Sequence, residues 1–169
     1  MCSKRKIVTY LFVVFATLQF ISCDYEAPQK TFEDYLGRCI MAYHRNRGGA
    51  IENCRNALAL NPKSAVAYLY WGMTLGIDMP DEAVEKYRKA LELDPHFGRV
   101  YFEWGNLLKY QGKLGEAIEK YRKLSELNPK SYVAYKFWAD TLKQQGKLEE
   151  AEEMFRRASE VDPTIHRGK

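Results

Sequence analysis

A repeated pattern of aromatic, small and proline residues constrains how this chain can fold. The pattern is clearest between Tyr101 and Pro129, and it returns 34 residues downstream, beginning at Tyr135, and 33 residues upstream, beginning at Tyr68. A fixed period of this length is typical of a repeat array, in which each unit buries its apolar face against the next one. The fold can therefore be predicted from a single unit.

Each unit has the pattern of two helices joined by a turn. Tyr101, Trp104 and Leu108 lie three and four residues apart, which places them on one face of a helix. Gly112 interrupts this stripe, and Pro129 ends the unit because it disfavours helical geometry in the preceding residue. The second stripe consists of Ala117, Tyr121 and Leu124. We therefore predict a helix, a tight turn and a second helix.

Small residues recur where the two helices of a unit must approach closely. Gly72 and Gly105 occupy the same place in successive units, and Ala139 takes that place in the last one. A glycine within a helix costs about 1 kcal/mol relative to alanine. Its repeated use indicates a close helix contact that offsets this cost.

The pattern resembles that of the tetratricopeptide repeat (TPR) family, and the resemblance covers about Ala65 to Pro163. It implies an all-α fold, a right-handed superhelical solenoid of about four helix-turn-helix units. We predict a repeat domain over 31–163, followed by a tail, 164–169. The predicted repeats are 31–64, 65–97, 98–131 and 132–163. The second unit is one residue short between its helices, which predicts a differently shaped turn.

The first repeat is a weaker copy of the unit. Leu36, Gly37 and Ile40 match the first stripe, and Gly48-Gly49 marks the predicted turn, with one residue more than in the third unit. Such divergence is expected of an opening repeat, because one of its faces has no neighbour.

Two of the four cysteines lie in this first repeat. Cys39 and Cys54 fall on its two predicted helices and could form a disulfide in an oxidising compartment. That bond would close a loop of about 15 residues and contribute about 3 kcal/mol. The alternative is that both are small, buried and free.

The N-terminus reads as a targeting segment. A basic start is followed by an apolar run, Ile7 to Ile21, which is short of the roughly 20 residues that span a bilayer and matches a secretory signal. The sequence Phe20-Ile21-Ser22-Cys23 resembles the bacterial lipoprotein signal. The resemblance implies a cleaved signal, 1–22, a diacylglycerol and an amide-linked acyl chain on Cys23, and a short tether, 23–30. An uncleaved signal anchor and an ordinary cleaved signal remain alternatives.

Charge and motif content exclude several function classes. The formal charge of the whole chain is +4, but residues 23–169 carry 23 basic and 22 acidic groups, which gives no argument for nucleic acid. No arrangement of a nucleophile with a base, no metal-ligand spacing and no glycine-rich phosphate loop occurs. We expect no enzyme activity, no cofactor and no metal.

The resemblance also predicts a partner-binding groove. In the family, the first helices of successive repeats line a concave groove, and five positions of each unit face it. The positions that correspond here are Val66, Leu69, Met73, Gly76 and Ile77 from the second unit, Arg99, Phe102, Asn106, Lys109 and Tyr110 from the third, and Val133, Lys136, Asp140, Lys143 and Gln144 from the fourth. The first part is apolar and the later part is basic, which suits a peptide with an apolar anchor and several acids. Packing against the neighbouring repeat or an N-terminal segment is the alternative use of the apolar part.

These patterns predict a lipid-anchored module that holds a protein or peptide partner in a bacterial envelope assembly and faces the periplasm. The sequence leaves the inner and outer membranes undecided. The alternative is a structural protein that assembles into homo-oligomers through its ends or outer faces.

Overall fold

The computed structural model describes residues 29–43 and 47–162. The predicted signal, Cys23, most of the tether, Pro163 and the tail lie outside these residues. The described part contains eight α-helices and no strand. They are α1 (Phe32–Tyr43), α2 (Arg47–Leu60), α3 (Ala65–Leu75), α4 (Pro80–Leu93), α5 (Gly98–Tyr110), α6 (Leu114–Leu127), α7 (Tyr132–Gln144) and α8 (Leu148–Val161). Consecutive helices form four pairs, α1–α2, α3–α4, α5–α6 and α7–α8, and each pair packs on the next one. The predicted all-α solenoid is confirmed.

Asparagine and serine residues stabilise the connections between successive helix pairs. Asn61 and Asn128 each accept a hydrogen bond from the backbone N–H two residues later, at 3.1 Å, across the proline. Ser64 and Ser131 then cap α3 and α7, because the hydroxyl of each accepts the backbone N–H three residues later at 3.2 Å. These caps satisfy helix N–H groups that would otherwise have no partner.

The turns inside the pairs follow two patterns. In the third and fourth pairs the turn passes through Gly112 and Gly146, with φ of 74° and 80°, a left-handed conformation that favours glycine. In the second pair Gly76 has φ of 45° and ψ of −127°, and Pro80 begins the next helix. The shortened second turn therefore differs in shape, as the sequence predicts.

Glycine against tyrosine is the central packing contact of the second and third pairs. A Cβ atom added to Gly72 would lie 2.7 Å from Cε1 of Tyr87, and one added to Gly105 would lie 2.7 Å from Cε1 of Tyr121. Both rings are buried. In the fourth pair Ala139 is buried in the cluster that includes Phe155. The predicted close approach is therefore present.

The first pair departs from the predicted register. A Cβ added to Gly37 would meet nothing within 4 Å, so this glycine does not form the close contact. Cys39 lies in that place instead, fully buried and bonded to Cys54. The predicted turn at Gly48-Gly49 is also wrong, because both residues belong to the start of α2. The spacing from Cys39 to Ala50 is one residue shorter than the spacing from Gly105 to Ala117 in the third unit. The first turn is therefore shorter than that of the third unit, and the predicted extra residue is wrong.

We predict that Gly105→Leu destabilises the protein by about 3 kcal/mol or more, because the added side chain would overlap the ring of Tyr121. Thermal unfolding followed by circular dichroism measures this. The control is Gly115→Ala in α6, whose added Cβ lies 3.8 Å from the nearest atom and should leave stability unchanged or slightly raised. Equal melting temperatures for wild type and Gly105→Leu would contradict the packing assignment.

Candidate partner-binding groove

An open cavity of about 230 Å³ lies among the first three helix pairs. Its lining residues are Tyr43 from α1, Met73, Gly76 and Ile77 at the end of α3, Tyr87 from α4, and Glu103, Asn106, Leu107 and Tyr110 from α5. Met73, Gly76, Ile77, Asn106 and Tyr110 are groove positions that the sequence analysis assigned. The structure therefore brings together predicted residues from two repeats.

The cavity is lined mainly by apolar and aromatic residues, and two of them are well exposed. Ile77 is 45% exposed and Tyr110 is 70% exposed, whereas Tyr87 forms the buried floor. Exposed apolar side chains around a concave surface are typical of recognition sites. Glu103 is the one carboxylate among these lining residues, and Arg99 pairs with it at 3.2 Å.

A second patch follows the cavity, and it is aromatic and basic. The rings of Phe102 and Phe137 meet edge to face with centroids 5.0 Å apart, and Tyr121 lies 5.9 Å from Phe137. Lys136 and Lys109 place their Nζ atoms 5.1 Å and 5.8 Å from the centre of the Phe137 ring. We call these five residues the aromatic–lysine patch. Cations above aromatic rings are attracted by the negative ring face.

Asn106 connects the two regions. Its side chain lines the cavity, and its Oδ1 accepts a hydrogen bond of 2.8 Å from the hydroxyl of Tyr121 in the aromatic–lysine patch. Burial raises the pKa of Tyr121, and the charge of Glu103 raises it further, so the hydroxyl stays protonated and donates this bond. The same two causes, in the same order, raise the pKa of Tyr87.

The lysines of α5 and α7 in this region are unevenly paired. Lys136 forms an ion pair with Asp140, one turn along α7, at 2.7 Å. Lys109 and Lys143 form no ion pair among the described residues. Lys143 and Gln144 lie exposed at the end of α7. Lys109 and Lys143 therefore present positive charge that a partner could neutralise.

One predicted groove residue is buried, and two others do not line the cavity. Leu69 is 1% exposed and belongs to the core cluster of the second pair, so a partner could not reach it. Val66 and Val133, at the beginnings of α3 and α7, are 36% and 42% exposed and do not line the cavity.

Four lining residues and one ring were missed. Tyr87 and Leu107 are buried core residues that also line the cavity. Tyr43 corresponds to Gly76 once the first repeat is aligned through Cys39, so the correct register would have identified it. Phe137 and Glu103 each stand next to an assigned position, and no sequence signal separated them from core residues.

Comparisons with known proteins agree with this architecture. Two family models described as tetratricopeptide repeat match residues 78–132 and 108–167. The chain is a tetratricopeptide repeat protein. Its fold is that of a protein-interaction scaffold. No curated protein matches the sequence.

Solved structures with the same fold include two named proteins. A crystal structure of MamA is 24% identical with a TM-score of 0.72, and the match covers 84% of each chain. A second MamA structure, of MSR-1, is 25% identical with a TM-score of 0.65, over 83% of this chain and 82% of that one. PilF of Pseudomonas aeruginosa is 26% identical with a TM-score of 0.69, and the match covers 78% of this chain but 61% of PilF.

We predict that Tyr121→Phe lowers the free energy of unfolding by about 1 kcal/mol, because it removes the hydrogen bond to Asn106 and leaves that amide oxygen without its partner. Urea denaturation measures the difference. Tyr87→Phe is the matched control, because the Tyr87 hydroxyl makes no hydrogen bond among the described residues and should contribute little. Equal losses in the two variants would show that the Asn106 bond is not what distinguishes Tyr121.

Proposed function

We propose that this TPR protein is a non-enzymatic, membrane-anchored scaffold that holds a peptide or protein partner in a bacterial envelope assembly. The observation that carries the proposal is the exposed cavity next to the aromatic–lysine patch. Asn106 links them, because it lines the cavity and accepts the hydrogen bond from Tyr121 of the patch. Fold membership supports a protein-binding role, and the N-terminal sequence supports the anchor.

The chemistry of the surface selects the kind of partner. The cavity accepts one large apolar side chain between Met73, Ile77 and Tyr110. The neighbouring Lys109 and Lys143 would pair with acids a few residues along the same partner segment. Apolar anchors supply most of the affinity at such surfaces, whereas complementary charge supplies orientation and association rate. The proposed partner is therefore an acidic segment with a single large apolar anchor.

The proposed anchor is the lipid on Cys23, outside the described residues. Within those residues, no helix is both long and apolar enough to cross a bilayer. Two or more acyl chains on Cys23 would suffice for stable attachment. In this arrangement the repeats face the periplasm beside whichever membrane holds the lipid.

We predict that Cys23→Ala moves the protein from the membrane fraction to the soluble fraction and removes the lipid mass from the purified chain. Fractionation followed by intact-mass spectrometry measures both changes. A wild-type protein that is itself soluble, with its signal cleaved at another site, would contradict the lipid anchor. Retention of the variant in the membrane, with the signal uncleaved, would show that a signal anchor and not a lipid attaches the protein.

We predict that the double variant Lys109→Glu, Lys143→Glu keeps wild-type stability within about 0.5 kcal/mol and loses most partner capture. Surface substitutions rarely change stability more than this, and the reversed charges would repel an acidic segment. The measurement is quantitative mass spectrometry of proteins recovered with the membrane-extracted chain.

The control for this experiment is Lys63→Glu, Lys130→Glu, which makes the same charge change on exposed turn residues. These side chains lie outside the groove, so partner capture should persist. Equal capture by the groove variant and the control would contradict the groove assignment. Recovery of the chain alone, with a mass that rises with concentration, would favour self-assembly instead.

A further inference from the structure

The first helix pair is held together differently from the other three. Cys39 and Cys54 are separated by 15 residues, as Gly72 and Tyr87 are in the second pair. Both cysteines are 0% exposed, and their Cα atoms are 5.0 Å apart. The disulfide therefore occupies the place where the second and third pairs have a glycine against an aromatic ring.

The buried residues of this pair other than the cysteines are Ala50, Ala57 and Leu58. The rings that α1 packs against Ala57 and Leu58, those of Phe32 and Tyr35, are only partly buried. Helix α2 also begins with Gly48 and Gly49, which are poor helix formers. The first pair thus has a covalent cross-link where the second and third pairs have a fully buried aromatic ring.

Helix α1 also supplies part of the binding surface. Tyr43 at its end lines the cavity and meets the ring of Tyr70 edge to face, with centroids 6.3 Å apart. Phe32, Tyr35 and Leu36 of the same helix pack against a cluster formed by Ala57 and Leu58 of α2 and Ala67 of α3. Movement of α1 away from α2 would therefore remove one wall of the cavity.

We propose that the Cys39–Cys54 disulfide is a redox-controlled pin that completes the partner-binding cavity. When it is formed, α1 is held against α2 and Tyr43 closes the cavity. When it is reduced, the first pair loses its central contact, α1 and α2 open far more often, and the cavity loses that wall. The effect on partner binding rests on the proposed function, whereas the effect on α1 and α2 does not.

The chemistry of the pin is a thiol–disulfide exchange. The Cys39 and Cys54 thiols together give up two protons and two electrons as the S–S bond forms. The oxidant is a disulfide-bonded thiol compound or dithiol oxidase, and its own disulfide is reduced to two thiols. Since both cysteines are buried in the folded pair, the exchange requires α1 to be open. Oxidation must then precede or accompany closure of the cavity.

Hydrogen exchange of the full mature chain tests the proposal. One sample is oxidised with oxidised glutathione and the other is reduced with dithiothreitol, with the thiol state checked by alkylation and mass. We expect the amides of α1 and α2 to exchange at least tenfold faster in the reduced protein, whereas those of α5 to α8 keep their rates. Unchanged protection of α1 and α2 in fully reduced protein would overturn the pin.

Two double variants distinguish the effect of the disulfide from that of the glycine–aromatic packing found in the second and third pairs. Cys39→Gly with Cys54→Tyr copies the second pair, and its protection should be the same with either reagent. Cys39→Ser with Cys54→Ser should exchange as the reduced wild type does, and if it fails to fold the wild-type comparison still decides. A response of the Gly/Tyr variant to dithiothreitol would mean that the reagent acts elsewhere and would overturn the assignment.

Partner capture supplies the second readout. The oxidised chain should recover at least tenfold more of the partner than the reduced chain, and the Gly/Tyr variant should capture it in both reagents. If exchange responds to reduction but no form captures a partner, the proposed function fails and the pin stands. If all forms capture equally while exchange responds, Tyr43 is not a required wall, and the link between pin and cavity is overturned.

Discussion

In the second and third pairs, the distance between the two helices is set where a glycine faces an aromatic ring. Gly105 lets the ring of Tyr121 lie where a Cβ atom would otherwise be, so the helix axes come closer than ordinary side chains allow. A glycine inside a helix is unfavourable relative to alanine, and the burial of the ring offsets that cost in free energy. Each helix pair then packs against the next one along the chain.

The binding surface is a product of that spacing. The cavity takes side chains from α1, α3, α4 and α5, so no single repeat could form it. Because stability in such arrays comes from each unit and its neighbours, a change in one pair is felt mainly by the adjoining surface. The first pair matters to the cavity for this reason, although it lies at one end of the described solenoid.

The sequence predicted the architecture well because the repeat pattern reports packing directly. Aromatic and small residues recur at the same places in three units, and the structure uses them as expected. The prediction failed in the first repeat, where a disulfide takes the place of the contact between glycine and tyrosine. Gly37 was aligned with Gly72 in place of Cys39, which shifted the register of this repeat by two residues. Tyr43 was lost from the groove for the same reason.

The groove itself was predictable only in part. Position within the unit identified Met73, Asn106 and Tyr110, because the repeat fixes which helix face points toward the cavity. It could not show that Leu69 is covered, since burial depends on the neighbouring pair and not on the unit alone. Nor could it show that Phe137 would lie beneath two lysines, which depends on how α5 and α7 meet.

Tyr121 belongs at once to the core and to the site. Its ring fills the space beside Gly105 and flanks Phe137, while its hydroxyl orients the amide of Asn106. The Asn106 amide that a partner would meet is thus held in one orientation by the core behind it. Little conformational entropy remains to be lost at Asn106 when a complex forms, so less of the cost of ordering falls on this chain at that point.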